Sequence, residues 1–274
     1  MSSLDSELGE LQARYKQLSP TGWILLEECD SLLFTALLAV GKGEALPELF
    51  LAEKSPGQWL RKPDGNGECS SDISRDMLMG VLTYAVFNRD ASILERLISY
   101  ADSHRWKMGE ERSTNPKRAG RTYLVPGLYG LLHELSRALG GKHSSLWAMF
   151  PQILQSSNPG FESHLSMLAM ACRGKTRGKL NWSEKWTLRS IIKKCPRNAL
   201  AAALSYRYDN GSLGAVRELV KQWPQDRLPN KGDWTEDWRT QRADDDSGLV
   251  GSESNKPHSG GDLLFVLRVT LDNL

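Results

Sequence analysis

The strongest constraint on the fold of this chain is an alternation between two kinds of helical segment. One kind is apolar nearly all round, and a helix with no polar face must be covered on every side. Six such segments occur: 32–40 (LLFTALLAV), 77–87 (MLMGVLTYAVF), 123–139 (YLVPGLYGLLHELSRAL), 165–172, 199–206 and 263–271. The other kind carries an apolar stripe and a charged outer face. In 91–103 the stripe is Ile93, Leu94, Leu97, Ile98 and Ala101, with Glu95, Arg96 and Asp102 turned away. In 213–223 it is Leu213, Val216, Leu219, Val220 and Trp223. Segments 44–53, 144–155 and 183–194 read likewise, and Leu4, Leu8, Leu11 and Tyr15 give the N-terminal segment a stripe as well.

Six apolar helices alternating with six amphipathic ones satisfy their apolar surface by closing into a double ring, with the apolar set inside. The expectation is therefore an all-α chain forming a single helical domain over 1–274, with the N-terminal helix packed beside the last inner one. An open stack would need polar caps at both ends, and the final segment LLFVLRVTL is core-like. Two stretches fit no helix and read as long loops, 54–72 and 224–257. Trp234, Trp238, Arg239 and Arg242 in the second favour a functional role for it, while the polar tract 244–256 favours disorder in part.

Composition removes several function classes. Lys plus Arg (35) nearly balances Asp plus Glu (33), a net charge of +2, so neither nucleic acid nor a membrane surface is the expected partner. The N-terminus carries Asp5, Glu7 and Glu10 and has no apolar stretch of the kind a secretory signal needs. The longest apolar run, 32–40, falls short of the roughly 20 residues of a membrane span. The expected setting is the cytoplasm, release by lysis, or carriage on a virus particle. Cys29, Cys69, Cys172 and Cys195 are scattered and read as free thiols. Zinc and EF-hand spacings, serine nucleophile elbows and dinucleotide fingerprints are missing, so neither a metal nor a cofactor is expected.

In a double ring the inner helices run parallel, and their N-termini open at one end. That end gathers Glu28 and Asp30, Arg75 and Asp76, Arg121, His164, Arg197 and Asn198, and His258 and Asp262, with Trp59, Trp106, Trp234 and Trp238 around the rim. Carboxylates, arginines and indoles in one cleft suit sugars, because aromatic faces stack on pyranose rings and planar polar groups pair with hydroxyls. The alternation resembles the (α/α)6 toroid of many carbohydrate-active enzymes, glycoside hydrolases and polysaccharide lyases among them. The resemblance is architectural and covers nearly the whole chain. It implies chemistry on an oligosaccharide or polysaccharide.

Glycosidic hydrolysis needs two carboxyl groups flanking the scissile bond, one protonated as acid and one ionised as base or nucleophile. Asp30, Asp76 and Asp262 each directly precede an apolar run, in EECDSLL, SRDMLM and SGGDLLF, and are the catalytic candidates. Burial there raises a carboxyl pKa, whereas the helix dipole lowers it. The plain alternative for each is a first-turn carboxylate that accepts backbone N–H groups. Glu28, Arg75, Arg121, His164, Trp234, Trp238, Arg239 and His258 are the substrate-binding candidates. A polysaccharide lyase would rest on His, Tyr and Arg instead. A non-enzymatic helical repeat module would use the tryptophans of 224–257 as its binding surface. His104 reads as a helix-end residue stabilised by the dipole, and Arg173, Lys175, Arg177 and Lys179 as an exposed turn.

Overall fold

The computed structural model describes residues 3–18, 31–61, 73–108, 123–142, 157, 161–196, 198–221 and 261–271. These residues are mostly helical. The apolar segments form α2 (Ser31–Lys42), α3 (Arg75–Phe87), α5 (Pro126–Ala138), α6 (Phe161–Arg177), α8 (Ala199–Tyr208) and α10 (Gly261–Leu271). The striped segments form α1 (Ser3–Leu18), α4 (Ala91–Ser103), α7 (Trp182–Lys194) and α9 (Leu213–Lys221). No helix among the described residues is long and apolar enough to cross a membrane.

Local chemistry starts and stops these helices. Asp90 caps α4 by accepting from the Ser92 N–H, and Asn198 caps α8 by accepting from the Ala201 N–H. Pro126 opens α5, where its missing N–H costs nothing. Asn181 and Glu184 form a reciprocal capping box at the start of α7. Within the buried α3, the Thr83 hydroxyl donates to the Met79 carbonyl at 2.7 Å, so a polar side chain sits in the core without an orphaned donor.

Packing follows the two kinds of surface. In α2 every residue from Leu32 to Gly41 is buried, and each large side chain contributes about 1.5–3 kcal/mol, opposed by the entropy of ordering the chain. α2 packs on α3 and α10, α3 on α6, α6 on α8, and α8 on α10, so the order of contacts returns to its start. α5 lies against α3, α6 and, most extensively, α4, while α1 packs on α10 and α9. The buried residues form one continuous cluster.

Pairs of contacts fix the sense of the helices. Thr83 lies 3.6 Å from the Cys172 sulfur, and a turn further along both helices the Lys175 ammonium sits 5.7 Å from the Phe87 ring, so α3 and α6 run the same way. Gly41 meets Leu264 and Gly43 meets the Arg268 side chain, so α2 and α10 agree too. A Cβ on Gly41 would lie 2.5 Å from that of Leu264; only glycine allows the two backbones so close. α4 runs back along α5. Asp102 at its end meets Tyr129 in the first turn of α5, and Glu95 near its start accepts from the Lys142 N–H beyond α5's end.

Three readings change. Residues 44–53 form no α-helix; Pro47–Ala52 is a 3-10 turn, followed inside the expected loop by an antiparallel hairpin of β1 (Glu53–Ser55) and β2 (Gln58–Trp59). Gly57 turns the hairpin at φ +82°, its N–H donates to Glu53, and Glu53 pairs with Arg96 of α4 at 2.8 and 2.9 Å. Trp59 is not a rim residue: the hairpin carries it into the core beside Phe50, with ring centroids 5.8 Å apart. The 173–179 set is an exposed turn only at its end, where Lys179 stands. α6 continues to Arg177, and Arg173 is 2% exposed, paired with Glu134 of α5 at 3.1 Å and Glu184 of α7 at 3.4 Å. The helix runs on through Gly174 because the Tyr208 ring lies where a side chain would stand.

Candidate active site

The end of the molecule where α3 begins collects buried polar groups. Ser74 enters α3 in extended conformation, its hydroxyl donates to the Asp76 carboxylate, and Asp76 is only 6% exposed. Two turns separate Asp76 from Thr83, and two turns back from Cys172 on α6 is Leu165. The common sense of the two helices therefore brings Asp76 level with the α6 start, where Ser163, His164 and Ser166 are buried. Arg61 is buried as well, and its carbonyl accepts from the Leu32 N–H at 3.0 Å in the first turn of α2. Arg75, beside Asp76, is exposed.

A second cluster stands at the same end of the helices, since α4 folds back along α3 through a three-residue turn and finishes where α3 starts. The Tyr129 hydroxyl donates to the Asp102 carboxylate. Trp106 tilts over the Tyr129 ring with centroids 4.8 Å apart, and the buried His133 meets the other side edge-on at 4.6 Å. Arg105 and Trp106 hold left-handed backbone at φ 52° and 67°, a costly conformation for side chains of this size. The Trp106 N–H bonds the Ala101 carbonyl at 2.7 Å, and its carbonyl accepts from the Leu124 N–H at 2.9 Å, which anchors the turn against the entry to α5. Burial and the adjoining Asp102 charge push the Tyr129 phenol up to about 12. Near neutrality Tyr129 can donate a proton and cannot accept one.

Family models, curated proteins and solved structures offer no match to this chain. Its chemistry is read from its own residues.

Of the residues singled out in the sequence, Asp76 and His164 lie level with each other, with Arg75 beside them. Asp262 occupies the second position of α10, whose first turn stands beside the second half of α2 through the Gly41–Leu264 contact; its side chain lies outside the described residues. Glu28, Asp30, Arg121, Trp234, Trp238, Arg239 and His258 also lie outside them, as does the outer segment 144–155. Cys172 and Cys195 are buried and outside any disulfide, and burial pushes the Cys172 thiol up to about 12, which keeps it inert. His104 closes α4, stacked 3.9 Å from Tyr100.

Sequence reasoning missed the Asp102–Tyr129 pair, because it turned Asp102 outward as one charge among many on α4. The clue was its place at the end of an outer helix, opposite the start of the next inner one. It also missed Trp182 and Trp186 of α7, which stand four residues apart and 80% and 62% exposed.

Proposed function

We infer that this chain is a glycan-cleaving enzyme of the glycoside hydrolase type, acting on an oligosaccharide or polysaccharide where its inner helices begin. The helices form an inner and an outer ring in the (α/α)6 manner. A closed order of contacts through α2, α3, α6, α8 and α10, the position of α5 against both α3 and α6, and the common sense of α2 with α10 and of α3 with α6 support that arrangement.

The observation that carries the reading is Asp76. Its carboxyl group is almost fully withdrawn from water, opens a helix, and accepts from a serine hydroxyl level with a buried histidine. A desolvated carboxyl held in one orientation is what general acid or base cleavage of a glycosidic bond requires. Asp76 is one member of the pair and Asp30 is the preferred other; Asp262 is the weaker choice, since α10 begins beside the second half of α2 and its Phe265 meets Phe87 at the far end of α3. Glu28, Arg75, Arg121, His164, Trp234, Trp238, Arg239 and His258 hold sugar rings and their substituents. Tyr129, kept protonated and bonded to Asp102, is a poor base, which weighs against a lyase built on it.

Reducing-end release over a panel of neutral and acidic polysaccharides tests the proposal. Asp76→Asn keeps the size of the side chain and an oxygen for Ser74. It should lower turnover by at least about 100-fold with an unchanged melting curve. Full activity in both Asp76→Asn and Asp262→Asn discards the assignment. A product with near-ultraviolet absorbance from a new double bond identifies a lyase, and silence across the panel removes glycan cleavage altogether.

A further inference from the structure

The outer face of α7 is unlike that of the other described helices. Trp182, Trp186, Arg189 and Lys193 recur at intervals of four, three and four residues and so line one stripe along the helix. Two indoles left 80% and 62% exposed on a single helical stripe are not explained by packing, since the opposite side, with Leu188 and Ile191, already serves the core. Among the described residues, the exposed charges along and beside the stripe are of one sign. Lys179, Lys185, Arg189, Lys193 and Lys194 surround the stripe, Glu184 is buried beneath it against Arg173, and Asp209 is spent on Arg189 and Lys185.

Arg189 is held in place for binding. Its Nε and one terminal nitrogen donate to the Asp209 carboxylate at 2.7 and 2.8 Å, and that carboxylate is 4% exposed. The guanidinium, itself 60% exposed, thus presents its remaining nitrogen to solvent in a set orientation.

We propose that this stripe is a surface binding site for an acidic polysaccharide, whose rings stack on Trp182 and Trp186 and whose carboxylates meet Arg189 and Lys193. A linear ligand matches a linear stripe. Single-stranded nucleic acid, which also stacks on indoles and carries one charge per nucleotide, is the competing ligand, and the experiment below separates the two. A bilayer fits less well because the stripe holds no aliphatic side chain to bury beside its two indoles. The choice of ligand rests on the glycan reading above, but the site itself is separate from Asp76.

Affinity electrophoresis of the full chain through gels containing polyuronate, with dextran gels as the neutral control, tests the site. Polyuronate should retard the wild-type chain, and retardation should fall at least tenfold in the Trp182→Ala/Trp186→Ala double variant. Lys193→Glu should weaken binding most at low salt, and Asp76→Asn should bind as the wild type does. Both tryptophans are exposed, so an unchanged melting curve confirms that the double variant folds; Trp186→Tyr alone, which keeps a stacking face, should retain part of the binding. Equal retardation of wild type and double variant overturns the proposal, as does no retardation at all. Tighter binding to oligodeoxythymidylate or to phosphatidylserine vesicles than to polyuronate, lost in the double variant, also overturns it in favour of that ligand. Turnover without surface binding sinks this site and spares the catalytic reading; binding without turnover does the reverse.

Discussion

The Tyr129 hydroxyl donates to the Asp102 carboxylate across the antiparallel pair α4 and α5. This bond closes the end of the molecule where Asp76 also lies, and it keeps a tyrosine protonated beside a left-handed turn.

Its pH dependence has a definite sign. The folded phenol titrates at about 12, above the roughly 10 of a free tyrosine, so the folded state holds the proton more tightly. The associated stability is complete below pH 10 and is lost as pH rises towards 12. Tyr129→Phe should cost about 1 kcal/mol at pH 8 and abolish that part of the alkaline loss. Urea denaturation of both proteins at pH 8 and pH 11 measures this, and an equal alkaline loss in the two would refute it.

Arg173 is the hub of a buried ionic cluster joining α5, α6 and α7, with Arg177 bonded to Glu134 and 3.3 Å from Glu184. Removing one partner of a buried pair strands the others. Arg173→Met should therefore lower stability by about 3 kcal/mol, and adding Glu184→Gln should restore part of it by discharging a carboxylate left behind. Denaturant titration of the single and double variants reads the coupling. Strictly additive losses would mean that the pair does not interact.

Gly41 and Gly9 make opposite predictions for one substitution. Alanine at Gly41 drives a methyl group into the backbone and side chain of Leu264 and should destabilise by about 1–3 kcal/mol. At Gly9, inside α1, nothing lies within 4 Å of an added Cβ, and alanine should stabilise by about 0.5–1 kcal/mol through helix propensity. Thermal melts of the two variants should shift in opposite directions.

The sequence by itself determined that the chain is mostly helical, where many of its helices begin, and which of them are buried on nearly every side. Period, caps and apolar content are local properties: the all-round apolar run 32–40 could only be buried, Pro126 had to open its helix or kink it, and Asp76 led into an apolar run as a helix start does. Only the tertiary structure decided which faces meet. A stripe fixes a side chain relative to its own helix axis and says nothing of which neighbour arrives. Asp102 therefore read as a solvated charge until α5 brought Tyr129 to it, and Arg173 read as surface until Glu134 and Glu184 closed around it. Trp59 left its expected place on the rim, and Trp182 was left exposed, for the same reason. A hairpin pinned by Glu53 to Arg96 carried one indole inward, while α7 met its neighbours with the side opposite the other.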